Sequence, residues 1–150
     1  TTIVKAAPSS RGVVFDLPEV VAGAVPTIET AGLAGRCTTQ GGSFFETAPA
    51  ADLHVMKHII HDWNDEKATQ ILKCCRRAVR PGGKLVLVEM VIAPGGDPAA
   101  KLLDLEMMVL CDGKERTEAE YATLLAGAGY RLTRVVPTES PACVIEAEPV

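Results

Sequence analysis

Residues 54–67, HVMKHIIHDWNDEK, decide how the rest of the chain is interpreted. An apolar stretch typical of a strand, residues 53–56, leads here into a polar and aromatic turn at residues 61–65. Ligands of open α/β sheets bind outside the carboxyl ends of the strands. His61, which stands in such a turn, is therefore the first candidate for a catalytic residue.

Strands and helices alternate on both sides of this turn. The predicted strands are apolar runs bounded by turn residues, and they span residues 13–16, 36–39, 53–56, 84–91, 130–137 and 142–148. The predicted helices cover residues 1–7, 18–32, 65–79, 99–110 and 117–128. This order predicts an α/β fold with a mostly parallel sheet, one antiparallel edge strand and helices on both faces.

Composition narrows the class of protein. A chain of 150 residues with 47% hydrophobic residues can build the core of one domain. The net charge of −4 and the lack of a long basic run argue against a nucleic-acid partner. No apolar stretch reaches about 18 residues, which argues against a membrane partner. The five cysteines lack C-x-x-C spacing, so we interpret them as reduced thiols of a cytoplasmic protein.

Two acidic residues belong to apolar strands. Asp16 closes a strand, where its carboxylate can accept both hydroxyls of a ribose or, alternatively, cap the helix that begins at Pro18. Glu89 lies inside the most apolar strand of the chain. Because burial of an unpaired carboxylate costs several kcal/mol, Glu89 must be paired, exposed at the end of the sheet, or functional.

Three histidines, His54, His58 and His61, invite comparison with a metal site. Two histidines on one helical face do not make such a site, and no cysteine or carboxylate completes a recognisable zinc spacing, so no metal is expected. His61 alone can be a catalytic base, or a packed or capping residue. Glu115 stands in a charged loop and would ordinarily be solvated, and Trp63 is most simply a packing anchor.

Five segments match one known family, in its order and over nearly the whole chain. They are residues 13–20 (VVFDLPEV), 42–46 (GSFFE), 56–65 (MKHIIHDWND), 71–89 (ILKCCRRAVRPGGKLVLVE) and 113–118 (GKERTE). Together they resemble the carboxyl-terminal part of the S-adenosylmethionine-dependent O-methyltransferases of the caffeic acid and hydroxyindole type. The resemblance implies a Rossmann-like methyltransferase sheet, S-adenosyl-L-methionine as cofactor, a small phenolic or polyketide-type substrate, and a homodimer in the full-length protein.

The resemblance also implies catalytic roles. His61 would be the general base, and Glu89 and Glu115 would flank and orient its imidazole. A phenol with a pKa near 10 is a poor nucleophile at neutral pH, and a histidine with a pKa of about 6.5 can take its proton as the oxygen attacks.

Binding roles follow from the same resemblance. The cofactor would be held at its ribose, adenine and methionine ends by Asp16, by Ser43 and Phe44, and by Lys57, respectively. The acceptor substrate would be contacted by Met107, Met108 and Asp62.

The chain departs from the family in two ways. Ser43 stands where the family usually has an aspartate, so a hydroxyl replaces the carboxylate beside the adenine. The family's first strand and its D-x-G-x-G-x-G loop have no counterpart in residues 1–150. We therefore interpret the chain as a partial catalytic domain, incomplete at its N-terminus and without the amino-terminal dimerisation domain. We expect two half-sheets with unpaired inner edges, and weak or no binding of the cofactor by these residues alone.

Three functions are compatible with these features. The favoured one is a phenolic O-methyltransferase, because His61, Glu89 and Glu115 are all present. The second is a family relative that keeps the cofactor but performs hydroxylation or decarboxylation, and the intact His61 argues against it. The third is a non-catalytic fragment kept for association with a partner, and the missing glycine-rich loop favours it.

Overall fold

The structure, a computed structural model, describes residues 1–93, 95, 98–111 and 113–150, and of residues 98–101 and 103 only the backbone. These residues form two compact units, 1–49 and 50–150. Every helix in the described ranges is too short or too polar to span a lipid bilayer.

The first unit is a small βα arrangement around two parallel strands. Its elements are α1 Thr2–Ala6, β1 Gly12–Asp16, α2 Pro18–Ala22, α3 Ala24–Thr30 and β2 Cys37–Gly41. β1 and β2 pair in parallel. The buried core of this unit consists of Val4, Ile28, Leu33 and Cys37.

The single helix predicted over residues 18–32 is two helices in the structure. Pro26 has no N–H to give to the carbonyl of Ala22, so the regular hydrogen-bond ladder is interrupted there. The chain tightens at Gly23, whose N–H donates to the carbonyl of Val20 at 3.1 Å. α2 therefore ends before Gly23, and α3 starts after it.

The second unit contains a five-stranded mixed sheet. Its elements are β3 Ala51–Lys57, α4 Asp65–Ala78, β4 Val79–Ile92, α5 Pro98–Cys111, β5 Arg116–Thr117, α6 Glu118–Gly127, β6 Tyr130–Pro137 and β7 Ala142–Pro149. The strand order is β3-β4-β7-β6, and β5 pairs with the end of β4. β3 and β5 run parallel to β4, whereas β7 runs antiparallel to both β4 and β6.

The predicted α/β class with one antiparallel strand is confirmed, but that strand, β7, lies beside the edge rather than at it. β6 forms the edge instead. The reason is burial: β7 carries Ala142, Ile145 and Ala147 in buried positions, whereas β6 exposes Arg131 and Arg134. A strand with charged side chains is better suited to an edge, because it discourages pairing with another chain.

The side chains at the starts of α4 and α6 cap these helices as helix-capping rules predict. α4 begins after Asn64, whose side chain accepts the N–H of Lys67 at 3.1 Å. α6 begins with a capping box, in which Thr117 and Glu120 satisfy each other's N–H groups. The cap of α4 lies directly after the turn that carries His61, and the cap of α6 lies directly after the loop that carries Glu115.

Two of the described parallel strands, β1 and β3, each have a single neighbour. β1 pairs only with β2, and β3 pairs only with β4, among the residues that the structure describes. The parallel strands thus belong to two separate sheets, as the sequence predicted.

Candidate active site

The turn that carries His61 begins where β3 ends. His58 has φ 51°, a left-handed conformation that is uncommon for residues other than glycine. Its N–H donates to the carbonyl of Val88 on β4 at 3.1 Å, so strand pairing continues up to the turn. Ile60–Asp62 form a single 3₁₀ turn in which Ile60 is fully buried. His61 is therefore held just beyond the carboxyl end of β3.

His61 makes a short contact with Glu115. The residue is 8% exposed, and its Nδ1 lies 2.7 Å from Glu115 Oε1, although 54 positions separate the two residues. The hydrogen bond to Glu115 raises the pKa of His61, burial opposes that rise, and the charge of Glu89 adds to it. The buried carboxylate thus favours the protonated imidazole.

Glu89 is fully buried within the carboxyl-terminal part of β4. Its Oε1 accepts the N–H of Ile59 at 3.0 Å and that of Ile60 at 2.8 Å, which ties the His61 turn to the central strand. Oε2 has no hydrogen-bond partner among the described residues. Burial raises the pKa of Glu89, and the N–H of Ile60 and the nearby His61 oppose that rise. From the sequence, Glu89 was expected to be paired, exposed at the end of the sheet, or functional. The structure excludes exposure.

Glycine at position 113 allows the loop that carries Glu115 to approach the His61 turn. A Cβ atom at Gly113 would collide with the carbonyl oxygen of His61 and would lie 2.9 Å from Asp62 Cα. The next residue, Lys114, donates its N–H to the same His61 carbonyl at 2.9 Å. The N–H of Glu115 donates in turn to Asp104 on α5 at 2.8 Å. Glu115 is therefore held from both sides.

Arg116 is the residue of this region that the sequence reasoning missed. Its guanidinium is fully buried and donates to the carbonyls of Ile60 at 3.1 Å, Trp63 at 2.8 Å and Lys114 at 3.2 Å. It also donates to Asp65 Oδ1 at 3.0 and 2.8 Å. Partial burial raises the pKa of Asp65, but the hydrogen bonds from Arg116 and Lys114 outweigh it, so that pKa is lowered. A buried arginine beside Glu115 could have been suspected only from the GKERT motif.

The predicted substrate residues lie around the same turn in different settings. Asp62 is half-buried, and its Oδ1 is 3.3 Å from Nε2 of His61. Met107 is half-buried on α5, and its carbonyl accepts the N–H of Gly113 at 3.2 Å. Met108, by contrast, is 56% exposed. Lys57, the predicted contact to the methionine end of the cofactor, ends β3 and is exposed.

The other predicted cofactor residues are brought together in the first unit. Asp16 ends β1, its Oδ1 accepts the N–H of Leu17 at 2.7 Å, and its carbonyl accepts the N–H of Gly42 at 2.9 Å. A Cβ at Gly42 would lie 2.8 Å from the ring of Phe15, so only glycine lets the loop pack this closely.

Ser43 and Phe44 directly follow Gly42, whose N–H is hydrogen-bonded to the carbonyl of Asp16. Ser43 Oγ accepts the N–H of Phe45 at 3.3 Å, which stabilises the turn that follows. The rings of Phe44 and Phe45 meet edge to face, with centroids 5.0 Å apart. Asp16, Ser43 and Phe44 thus line one end of the β1–β2 sheet.

Comparison with known proteins identifies the family. The sequence profile of the O-methyltransferase domain matches residues 1–131. The chain is 41% identical over 152 residues to the phenazine O-methyltransferase PhzM of Lysobacter antibioticus, and the match covers 100% of this chain and 45% of that protein. The acetylserotonin O-methyltransferase of Mus musculus is 40% identical over 141 residues, which cover 89% of this chain and 36% of the mouse protein.

Solved structures agree with the sequence comparison. The crystal structure of an O-methyltransferase (NcsB1) from neocarzinostatin biosynthesis, in complex with S-adenosylmethionine and 2-hydroxy-5-methyl naphthoic acid, matches with a TM-score of 0.90 and 32% identity. The match covers 99% of this chain and 44% of that one. The chain thus spans less than half the length of these relatives. With the profile matching most of its residues, the chain belongs to the O-methyltransferase domain family.

Proposed function

We propose that the protein transfers a methyl group from S-adenosyl-L-methionine to a hydroxyl of a small aromatic or polyketide-type metabolite, with His61 as the general base. The observation that carries the proposal is the buried pair of His61 and Glu115, 2.7 Å apart at the carboxyl end of a parallel strand. A histidine oriented by a carboxylate is the arrangement that proton abstraction requires. The family relatives, which are named for methylation of oxygen, support the reaction class.

Each residue of the site has a defined task. Nδ1 of His61 carries the proton that it donates to Glu115, which leaves Nε2 free to take the hydroxyl proton of the acceptor. The charges of Glu115 and Glu89 stabilise the imidazolium that results. S-adenosylmethionine, when bound, supplies a methyl group already activated by its sulfonium. The remaining task of the protein is to orient the acceptor oxygen, which can supply several kcal/mol of the barrier.

The residues assigned to the cofactor fit such a ligand chemically. Asp16 offers a carboxylate at the end of a parallel strand, the position from which acidic residues bind ribose hydroxyls in related folds. Gly42 donates its N–H to the main-chain carbonyl of Asp16, and Ser43 and Phe44 follow it directly in the chain. Lys57 at the end of β3 provides a cation for the methionine carboxylate.

The acceptor would lie against the half-buried Met107, with Asp62 near the reacting oxygen and Met108 at the outer face of α5.

We also propose that the full chain acts as a cytoplasmic homodimer and that residues 1–150 form part of its catalytic domain. Exposed apolar residues of α5 support an association surface: Leu102, Leu105, Val109 and Leu110 are each more than half exposed. Light scattering on the full natural chain tests the dimer.

Substitution of His61 tests the proposed function. His61→Gln in the full natural chain should lower turnover about 10²- to 10⁴-fold, the usual contribution of a general base, because glutamine cannot take the proton. Affinity for S-adenosylmethionine should barely change. Transfer of a labelled methyl group to a panel of phenols, followed by mass spectrometry, measures turnover and also identifies the acceptor class.

The matched control is His54→Gln, which changes a histidine of β3 outside the described contacts of His61. This variant should keep its turnover. If His61→Gln retains near-wild-type turnover, His61 has no part in the mechanism.

A further inference from the structure

A cluster of three side chains includes the proposed base His61, and methyl transfer gives no role to one of its members, His58. His58, His61 and Glu89 each offer a nitrogen or carboxylate oxygen, and these three atoms all lie within 4.8 Å of one another. The sequence spacing gave no hint of it, because the carboxylate comes from β4 and the histidines from the turn after β3. The fold thus supplies the carboxylate that the histidines lacked.

We propose that His58, His61 and Glu89 form an inhibitory binding site for a single Zn²⁺ ion. Two histidines and one carboxylate are a ligand set found at open zinc sites, where a fourth position is left to water. The ion would bind at the very nitrogen that the proposed mechanism needs for proton abstraction. Zinc and the acceptor hydroxyl would therefore exclude each other.

The buried Oε2 of Glu89, which has no hydrogen-bond partner among the described residues, is suited to bind a ligand. Its side chain is fully buried, and Oε1 is already engaged by two main-chain N–H groups. Oε2 has no hydrogen-bond partner among the described residues, and it lies 3.9 Å from Nδ1 of His58. That distance is too long for a hydrogen bond. Ligand atoms about 2.1 Å from a tetrahedral Zn²⁺ are about 3.4 Å apart, so a small movement of the imidazole would allow both to bind it.

The partner residues of His61 suit a metal ligand as well. Nδ1 is held by Glu115 at 2.7 Å, which leaves Nε2 to bind the ion. Metal-binding histidines commonly donate their other ring N–H to a carboxylate in this way. Asp62 Oδ1 lies 3.3 Å from Nε2 and adds a further negative charge at the site. The side chain of His58 is 46% exposed, so an ion has a route in from solvent.

Zinc titration by isothermal calorimetry tests the site on the full natural chain, first stripped of metal with a chelator. We expect one Zn²⁺ to bind per chain. His58→Asn should weaken the affinity about 100-fold or more, because loss of even an indirect partner of a metal ligand costs about 10- to 100-fold. Asparagine tolerates the left-handed backbone of position 58, so the variant should fold. The matched control His54→Asn should bind zinc as the wild type does.

Two outcomes would overturn the site: no stoichiometric binding by the wild type, or equal affinity in wild type and His58→Asn. If His58→Asn fails to fold by circular dichroism, Glu89→Gln serves the same test, and unchanged affinity there would overturn the site too. Co²⁺ gives a second readout, because its visible absorption reports nitrogen and oxygen ligands directly.

The inhibitory effect rests on the proposed function and is measured separately. Zn²⁺ should abolish methyl transfer by the wild type, and a chelator should restore it. His58→Asn should keep its methyl transfer and lose the sensitivity to zinc. If zinc binds but methyl transfer is absent without it, the proposed function fails while the site stands. If zinc binds through His58 but does not slow methyl transfer by an active enzyme, the proposed inhibition is wrong.

Discussion

In the proposed mechanism, the contact between His61 and Glu115 determines which imidazole nitrogen acts as the base. An ionised carboxylate only accepts hydrogen bonds, so Nδ1 of His61 must carry the proton at their 2.7 Å contact. Nε2 is then the unprotonated nitrogen, and it is the one near Asp62. Glu115 therefore sets both the tautomer and the orientation of the ring.

The charge of Glu115 can be tested apart from its hydrogen bond. Glu115→Gln keeps an acceptor for the Nδ1 proton but loses the charge that stabilises the imidazolium. Charge-assisted hydrogen bonds are roughly twice as strong as neutral ones, so we expect a loss of about tenfold in kcat, equivalent to about 1.4 kcal/mol. Steady-state kinetics of methyl transfer measure it.

Glu118→Gln is the control, because Glu118 is exposed in the first turn of α6 and close in sequence to the site. Its kcat should match the wild type. An unchanged kcat for Glu115→Gln would mean that the carboxylate charge does not assist the base.

Sequence reasoning could predict some of these residues and not others, for a physical reason. The position of His61 after an apolar strand is a local signal, and a local rule found it. The contact with Glu115, 54 positions away, has no local signal and came only from the family resemblance. The orphaned Oε2 of Glu89 and its proximity to His58 depend on how β4 lies beside the turn, which no spacing rule describes.

At the scale of elements, Arg116 joins the His61 turn to the start of α4 and to the loop after α5. It does so by donating to three main-chain carbonyls and to Asp65. These acceptors lie in the segment between β3 and α4 and in the loop before β5, and β3 and β5 both pair with β4. The geometry of the proposed catalytic turn therefore depends on a residue to which the proposal gives no chemical step.

Arg116→Lys should destabilise the protein and impair the site. A lysine cannot reach all of these acceptors, and each buried carbonyl left unpaired costs about 1–3 kcal/mol. We expect a loss of roughly 2–4 kcal/mol in the free energy of unfolding, measured with urea, and a fall in kcat under conditions where the variant is folded.

The matched control is Arg76→Lys, since Arg76 also donates to main-chain carbonyls, those of Gly129 at 2.9 Å and Val150 at 2.8 Å, but away from His61. It should lose stability and keep its kcat. Equal kcat effects in the two variants would show that Arg116 acts through general stability alone.

The capping box of α6 makes stability depend on pH in a known direction. The N–H of Thr117, its hydroxyl and Lys114 lower the pKa of Glu120. A carboxylate with a lowered folded-state pKa stabilises the fold at pH values above its unfolded-state pKa of about 4.3. That stabilisation is lost as the pH falls through the folded-state pKa.

Glu120→Gln should therefore be less stable than the wild type at pH 7, and the difference should shrink at an acidic pH below the lowered folded-state pKa of Glu120, where its carboxyl is protonated. Glutamine can still complete a capping box, so the difference isolates the charge. Thermal denaturation at both pH values measures it. A difference that stays constant with pH would contradict the assignment.

Most element types were predictable because caps and apolar runs are local. Two features were not predicted, each for a different reason. The break at Gly23 follows from Pro26, a local cause that the reasoning overlooked. The inner position of β7 could not be predicted, because it depends on which of two terminal strands pairs with β4, and both follow the same apolar pattern.

At the scale of the whole molecule, the arrangement of the strands limits what residues 1–150 can do alone. β1 and β3 each pair with one described neighbour, so each presents a row of unpaired main-chain groups. The strand and D-x-G-x-G-x-G loop that the family resemblance calls for are not in this sequence. Such loops bind dinucleotide-type cofactors through main-chain N–H groups at a helix N-terminus.

We therefore expect the isolated 150-residue chain to bind S-adenosylmethionine weakly or not at all, because Asp16, Ser43, Phe44 and Lys57 lack those main-chain donors. Isothermal titration compares it with a chain extended upstream of Thr1 by the glycine-rich segment that the family resemblance calls for, and the extended chain should bind at micromolar concentrations. Circular dichroism first checks that the shorter chain is folded. If the 150 residues alone bind with micromolar affinity, the side chains at the ends of β1 and β3 suffice for recognition, and the glycine-rich loop is not required.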